Sequence, residues 1–183
     1  MAQAGNEKIL GGLGSIFIIF GFVPWIGWLL SIAGIVLLFI AMNKLAQAFS
    51  DKNIFNKFLT GFLVSTAGIL TGIIFGMFSM IPLMMGNSYH GMNLPFSGFM
   101  LIFIFLIVYA LSIVGMYFYR QCFNLLHHYT QINLFRLAGA FMFWGAVGVI
   151  VFGLGAIAIL VGWILLAIAF FSLPEHHEEK NTA

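Results

Sequence analysis

The residues with the best claim to chemistry are six methionines, Met77, Met80, Met84, Met85, Met92 and Met100, gathered around His90. Thioethers with an imidazole suit Cu(I). Methionine is also a flexible apolar side chain that fills irregular gaps. In a stretch without a single Asp, Glu, Lys or Arg from Phe58 to Tyr119, gap filling at a helix-loop-helix crossing is the preferred reading. The other four histidines come as two adjacent pairs, His127 with His128 and His176 with His177. Neighbours on a helix point about 100° apart, so neither pair chelates a metal alone. Glu175, Glu178 and Glu179 offer further oxygen ligands beside the second pair, but solvated polar residues at a membrane boundary account for both. No metal site and no cofactor are expected.

The long apolar stretches contain no ionisable group. A charge inside the bilayer costs about 2.5–3.5 kcal/mol or more and persists where it carries protons or ions. Its absence argues against proton-coupled transport. It argues equally against intramembrane proteolysis, which needs a buried carboxylate pair, a Ser–His pair or HExxH. The chain has no GxGxxG, P-loop or CxxC either. No enzyme is expected. Cys122 is the sole cysteine, so an intrachain disulfide is excluded, and a small buried hydrophobe is the preferred reading over an acylated thiol.

The elements that hold these residues are dictated by composition. The 183 residues are 62% hydrophobic and 7% charged, against roughly 25% charged in a soluble domain. The chain reads as one integral membrane domain, an all-α polytopic bundle. Its spans are read at about residues 9–23, 26–42, 58–81, 96–118, 137–152 and 156–173, forming three hairpins. The outer four are short, and the middle two, at 24 and 23 residues, are long enough to cross a core of roughly 30 Å with tilt. Pro82 ends the third span. The polar connector from Asn43 to Lys57 is read as lying in water or along the interface, where Leu45, Phe49 and Ile54 could dip into lipid. The connector from Arg120 to Arg136 continues the fourth helix.

Charge tests the count. Six crossings put all seven basic residues, Lys8, Lys44, Lys52, Lys57, Arg120, Arg136 and Lys180, on one side. The positive-inside rule makes that side cytoplasmic, with both termini there, and makes Lys8, Lys44, Lys57, Arg120 and Arg136 the interface anchors. The net charge of +2, spread over single residues, excludes a nucleic-acid surface. Each hairpin opens with a basic residue followed three or four positions on by glycine: Lys8 with Gly11, Lys57 with Gly61, Arg136 with Gly139.

The third span carries Gly61, Ser65, Gly68, Gly72 and Gly76 at steps of three or four, a stripe of small residues on one helix face. Glycine costs a helix roughly 1 kcal/mol relative to alanine, so another backbone is expected to come close there. Two partners fit: another helix of the same chain, which is preferred, or the same face of a second copy in a homo-oligomer.

YFYRQCFNLL from Tyr117, NLFRLAG from Asn133, WILLAIAFFSLPE from Trp163 and the opening KILGGLGSIFIIFGFVPWIGWLL from Lys8 resemble an uncharacterised prokaryotic integral membrane family, domain of unknown function 996. The resemblance covers nearly the whole chain except the loop at 83–95 and the tail, and both histidine pairs lie outside its pattern. It implies a small multi-pass protein of an archaeal or bacterial cell membrane and carries over no activity, catalytic residue or cofactor. The expected role is a non-enzymatic interaction or scaffold protein packing through the Gly61 to Gly76 seam. Its connectors around Lys52 and Arg120 would face a membrane or cytoplasmic protein. The alternative is a small channel or facilitator for an uncharged or weakly charged solute.

Overall fold

The computed structural model describes residues 4–84, 94–150 and 153–174; for residues 4–6, 22, 78–84, 94–98, 100 and 101 it describes the backbone alone. Every regular element among them is helical: α1 (Ala4–Ile19), a short 3-10 turn (Phe20–Phe22), α2 (Gly27–Ala48), α3 (Lys52–Met84), α4 (Leu94–Thr130), α5 (Asn133–Gly148) and α6 (Leu154–Phe171). Four of the six α-helices, α2, α3, α4 and α6, are long and apolar enough to cross a membrane.

Each helix packs on its neighbours in chain order, and α6 closes on α1. Among the described residues the six therefore form a ring of antiparallel helices. One end of the ring carries the connections α2 to α3 and α4 to α5, and is called the connector end below; the other carries the hairpin turns.

The core sits at the connector end. Leu38, Met42, Ile54, Cys122, Phe123, Leu126, Phe135, Met142, Leu166 and Phe170 are all buried there in one cluster drawn from α2 to α6. The spacing explains it: Leu38, Ala41, Met42 and Leu45 recur at three and four on α2, one face of a helix. Leu45 and Ile54 belong to this core and do not dip into lipid. α2 runs unbroken through Asn43–Ala48, where Lys, Leu, Ala and Gln are good helix formers, so its inward face continues to Leu45. Phe49 instead stacks on Tyr129 at 5.1 Å. Towards the turns, α3 and α4 outrun their neighbours. Ile69, Leu70, Ile73, Phe99, Ile102 and Phe103 are exposed on all sides of this hairpin, which suits a hydrocarbon surrounding and no other solvent.

At the turn end of the middle hairpin, two boundaries differ from the sequence reading. α3 continues past Pro82 to Met84; a proline removes one backbone bond, which a long helix in this setting absorbs. α4 begins at Leu94, so Pro95 falls in its first turn, where a missing N–H costs nothing.

Close glycine pairs hold each hairpin. A Cβ on Gly14 would stand 2.9 Å from the Gly34 carbonyl oxygen, and one on Gly34 2.7 Å from that of Gly14. Gly61 and Gly115 face each other in the same way at 3.1 and 3.2 Å. In the third hairpin a Cβ on Gly145 would stand 2.8 Å from the Gly155 carbonyl oxygen, and one on Gly155 would overlap the Gly145 carbonyl. Without side chains at these points the backbones reach contact, and dispersion over a long shared surface supplies the cohesion that the hydrophobic effect cannot supply inside lipid.

Candidate functional site

Polar side chains that act between elements concentrate at the connector end. α2 is closed by Ser50, with a left-handed backbone at φ 53°, which lets the Asp51 N–H donate to the Ala46 carbonyl at 3.0 Å. The turn places Asp51 immediately before α3, where its Oδ1 accepts from the Asn53 N–H at 2.9 Å, an N-cap bond that satisfies one of the first free N–H groups of the helix. The second carboxylate oxygen accepts from the Tyr129 hydroxyl at 3.0 Å, across 78 residues of sequence. α4 ends in the same manner, at left-handed Gln131, whose N–H donates to the His127 carbonyl at 2.8 Å. Tyr129 thus pins the end of α4 to the turn between α2 and α3, by its hydroxyl on Asp51 and its ring on Phe49.

These bonds to Asn53 and Tyr129 hold the Asp51 carboxyl below its ordinary range, the backbone bond to Asn53 being the largest cause. The sign follows. A carboxylate whose folded pKa is depressed stabilises the fold fully above its unfolded pKa and loses that contribution as pH falls through the folded value. Tyr129→Phe is therefore expected to raise the Asp51 pKa part of the way back, leaving the Asn53 bond in place. Carbon-13 titration of the Asp51 carboxyl would read the change; an unmoved titration would mean that the tie is not formed in the membrane.

Further ties lie one and two turns along α3 and α4. The Lys57 ammonium donates to the Gln121 side-chain carbonyl. Cys122 is fully buried, its thiol donating to the Ile54 carbonyl at 3.3 Å, so it packs as a small hydrophobe. Arg120 lies over the Phe143 ring at 5.2 Å, joining α4 to α5, and its backbone packs where a Cβ on Gly139 would stand 3.1 Å from the Arg120 Cα. Of the other expected anchors, Lys8 and Lys44 are half-buried and Arg136 is exposed. The His128 ring meets Tyr129 edge-on at 5.7 Å. Among the described residues, the buried atoms Glu7 Oε2, Ser65 Oγ and His127 Nδ1 have no hydrogen-bond partner.

The small-residue stripe of α3 lies against α4 of the same chain. Gly61 meets Gly115, Ser65 packs at Gly115, Gly68 faces Leu111 and Gly72 faces Val108. The methionine cluster is not brought together within the described side chains: Met77 is exposed, while the side chains of Met80, Met84, Met85, Met92 and Met100 and residue His90 lie outside them, as do His176 and His177.

One feature was missed from sequence, the Asp51 to Tyr129 tie, for which the only signal was a carboxylate in helix-capping position. The Tyr109 hydroxyl donates to the Val147 carbonyl of α5 at 2.6 Å and so satisfies an end-of-helix acceptor that the short α5 leaves open.

The arrangement is one of ties and anchors. Residues 30–164 match the family model described as protein of unknown function, DUF996. An uncharacterised protein of the archaeon Methanocaldococcus jannaschii is 34% identical over 181 residues, covering 96% of each chain. No solved structure matches. The match spans both connectors, α3, α4 and α5 whole and most of α2 and α6, and the archaeal relative extends the likeness over nearly the whole length: the chain belongs to the DUF996 family of proteins of unknown function.

Proposed function

We propose that this is a non-enzymatic scaffold protein of a prokaryotic cell membrane. It crosses the bilayer six times, with both termini and both connectors in the cytoplasm, and offers its connector end to a membrane or cytoplasmic protein. The observation that carries this reading is the concentration of the buried core and of the polar ties at that one end. A surface that must recognise a partner gains from being rigid before the encounter, and here two connectors far apart in sequence are locked to each other. Lys52, Asn133 and Arg136 stand exposed on it. The same filled core weighs against the channel alternative, since Phe123, Phe135 and Phe170 occupy the inside of the ring at the connector end. The glycine seam of α3 belongs within the chain on this reading, so any homo-oligomer would form through other faces.

The test is photo-crosslinking in cells from a benzophenone side chain at Lys52 and, separately, at lipid-facing Ile73. A protein adduct of one discrete mass from Lys52, abolished by Tyr129→Phe, is expected. Lipid adducts alone from both positions would count against a scaffold.

A further inference from the structure

On the lipid-facing side of α5 and α6 lies an apolar groove of about 370 Å³, walled by Ala140, Phe141, Trp144, Gly148, Gly155 and Ala158. Its cause is the glycine crossing. Gly145 and Gly155 bring the two backbones together, so the floor is made of small residues while Trp144 and Phe141 stand up as exposed walls. The volume is at the small end of the roughly 300–1,000 Å³ of ligand pockets, enough for one hydrocarbon chain. The groove is uncharged along its length, and its rim is continuous with side chains that face the bilayer.

Its connector-side end is different. Arg136 lies one helical turn from Ala140 on α5 and is exposed. A long side chain on a helix leans towards the N-terminus, which for α5 is the connector end, where headgroups would be. Arg120 does not join it, since its guanidinium rests on the Phe143 ring, seven residues further along α5 from Arg136. One guanidinium group at headgroup depth above an apolar groove forms a cationic head and a hydrocarbon body, complementary to one ligand class present throughout a membrane.

We propose that the α5–α6 groove is a seat for a single phospholipid with an anionic headgroup, its phosphate on Arg136 and one acyl chain along Ala140, Trp144 and Ala158. The geometry suits Arg because its planar fork binds phosphate oxygens two at a time. The proposal rests on the membrane-embedded reading, and the experiment separates the two. The protein is reconstituted in nanodiscs of equal phosphatidylglycerol and phosphatidylcholine and released in a mass spectrometer. One retained phosphatidylglycerol per chain is expected. Arg136→Gln should reduce that preference about five-fold, the weight of one interfacial cation. Ala158→Phe, which fills the groove and leaves Arg136, should abolish retention of either lipid, with helix content by circular dichroism unchanged. Added inorganic phosphate at millimolar concentration should displace nothing, because the chain supplies most of the binding. Equal retention in parent and both variants, a diffuse spread of lipid numbers, or displacement by inorganic phosphate alone would overturn the seat. Failure of the protein to enter nanodiscs would instead overturn the membrane reading on which it rests.

Discussion

Phe170→Ala is expected to destabilise the protein by about 3 kcal/mol, the low end of the range for a buried aromatic truncated in a core. Phe170 is fully buried. Its ring meets Phe135 edge-on at 5.3 Å and lies against Gly11, where a Cβ would overlap it. One side chain thereby joins α6 to α5 and closes α6 on α1, so its removal opens the ring at the point where the chain's ends meet. The low end applies because separated helices in a bilayer still face hydrocarbon, and the loss is packing and cavity, without transfer of the site to water. Unfolding by a denaturing detergent in mixed micelles gives the measurement. A change below about 1 kcal/mol would mean that the connector-end core does not close the ring.

Gly155→Leu is the second large effect, and it acts by excess instead of loss. A Cβ at Gly155 would overlap the Gly145 carbonyl and come within 2.6 Å of the Gly148 carbonyl carbon. Both obstacles are backbone, which cannot swing aside as a side chain does. α5 and α6 must separate, so the cost should reach the upper part of the roughly 1–3 kcal/mol of overpacked sites, about 3 kcal/mol. Gly72→Ala is the control. A Cβ there meets only the Val108 side chain, at an ordinary 3.6 Å, so stability should stay within about 0.5 kcal/mol of the parent. The same unfolding assay distinguishes a seam that packs within the chain from glycines scattered by composition, which would give the two variants similar values.

That contrast shows what could be read from sequence and what could not. Spacing on α3 exposed a face of small residues, but not what occupies it, because identical helix faces suit a neighbour in the chain or in another copy. A better signal was present. Gly14 and Gly34 stand ten residues either side of Pro24, and residues equally far from a turn must meet in a tight antiparallel hairpin. Gly145 and Gly155 flank their turn in the same way. The family resemblance was legible from the stretches around Arg120 and Trp163, and the helical class from composition alone. The core of the connector end was not legible, since Leu45 and Ile54 sit in a polar segment where a local pattern looks interfacial and only the unbroken run of α2 turns Leu45 inward. Tyr129 and Asp51 are 78 residues apart, and no local rule pairs them.

In the proposed function both connectors lie on the cytoplasmic side of a membrane, with the turns at Trp25 and Gly153 opposite. The most direct test replaces the sole cysteine by Cys122→Ala and introduces, one at a time, Trp25→Cys, Lys52→Cys and Asn133→Cys, all at exposed positions. Cells are then treated with a membrane-impermeant maleimide. Labelling of Trp25→Cys in intact cells, with Lys52→Cys and Asn133→Cys labelled only after permeabilisation, is the predicted result; labelling of Trp25→Cys and Lys52→Cys from the same side would contradict it.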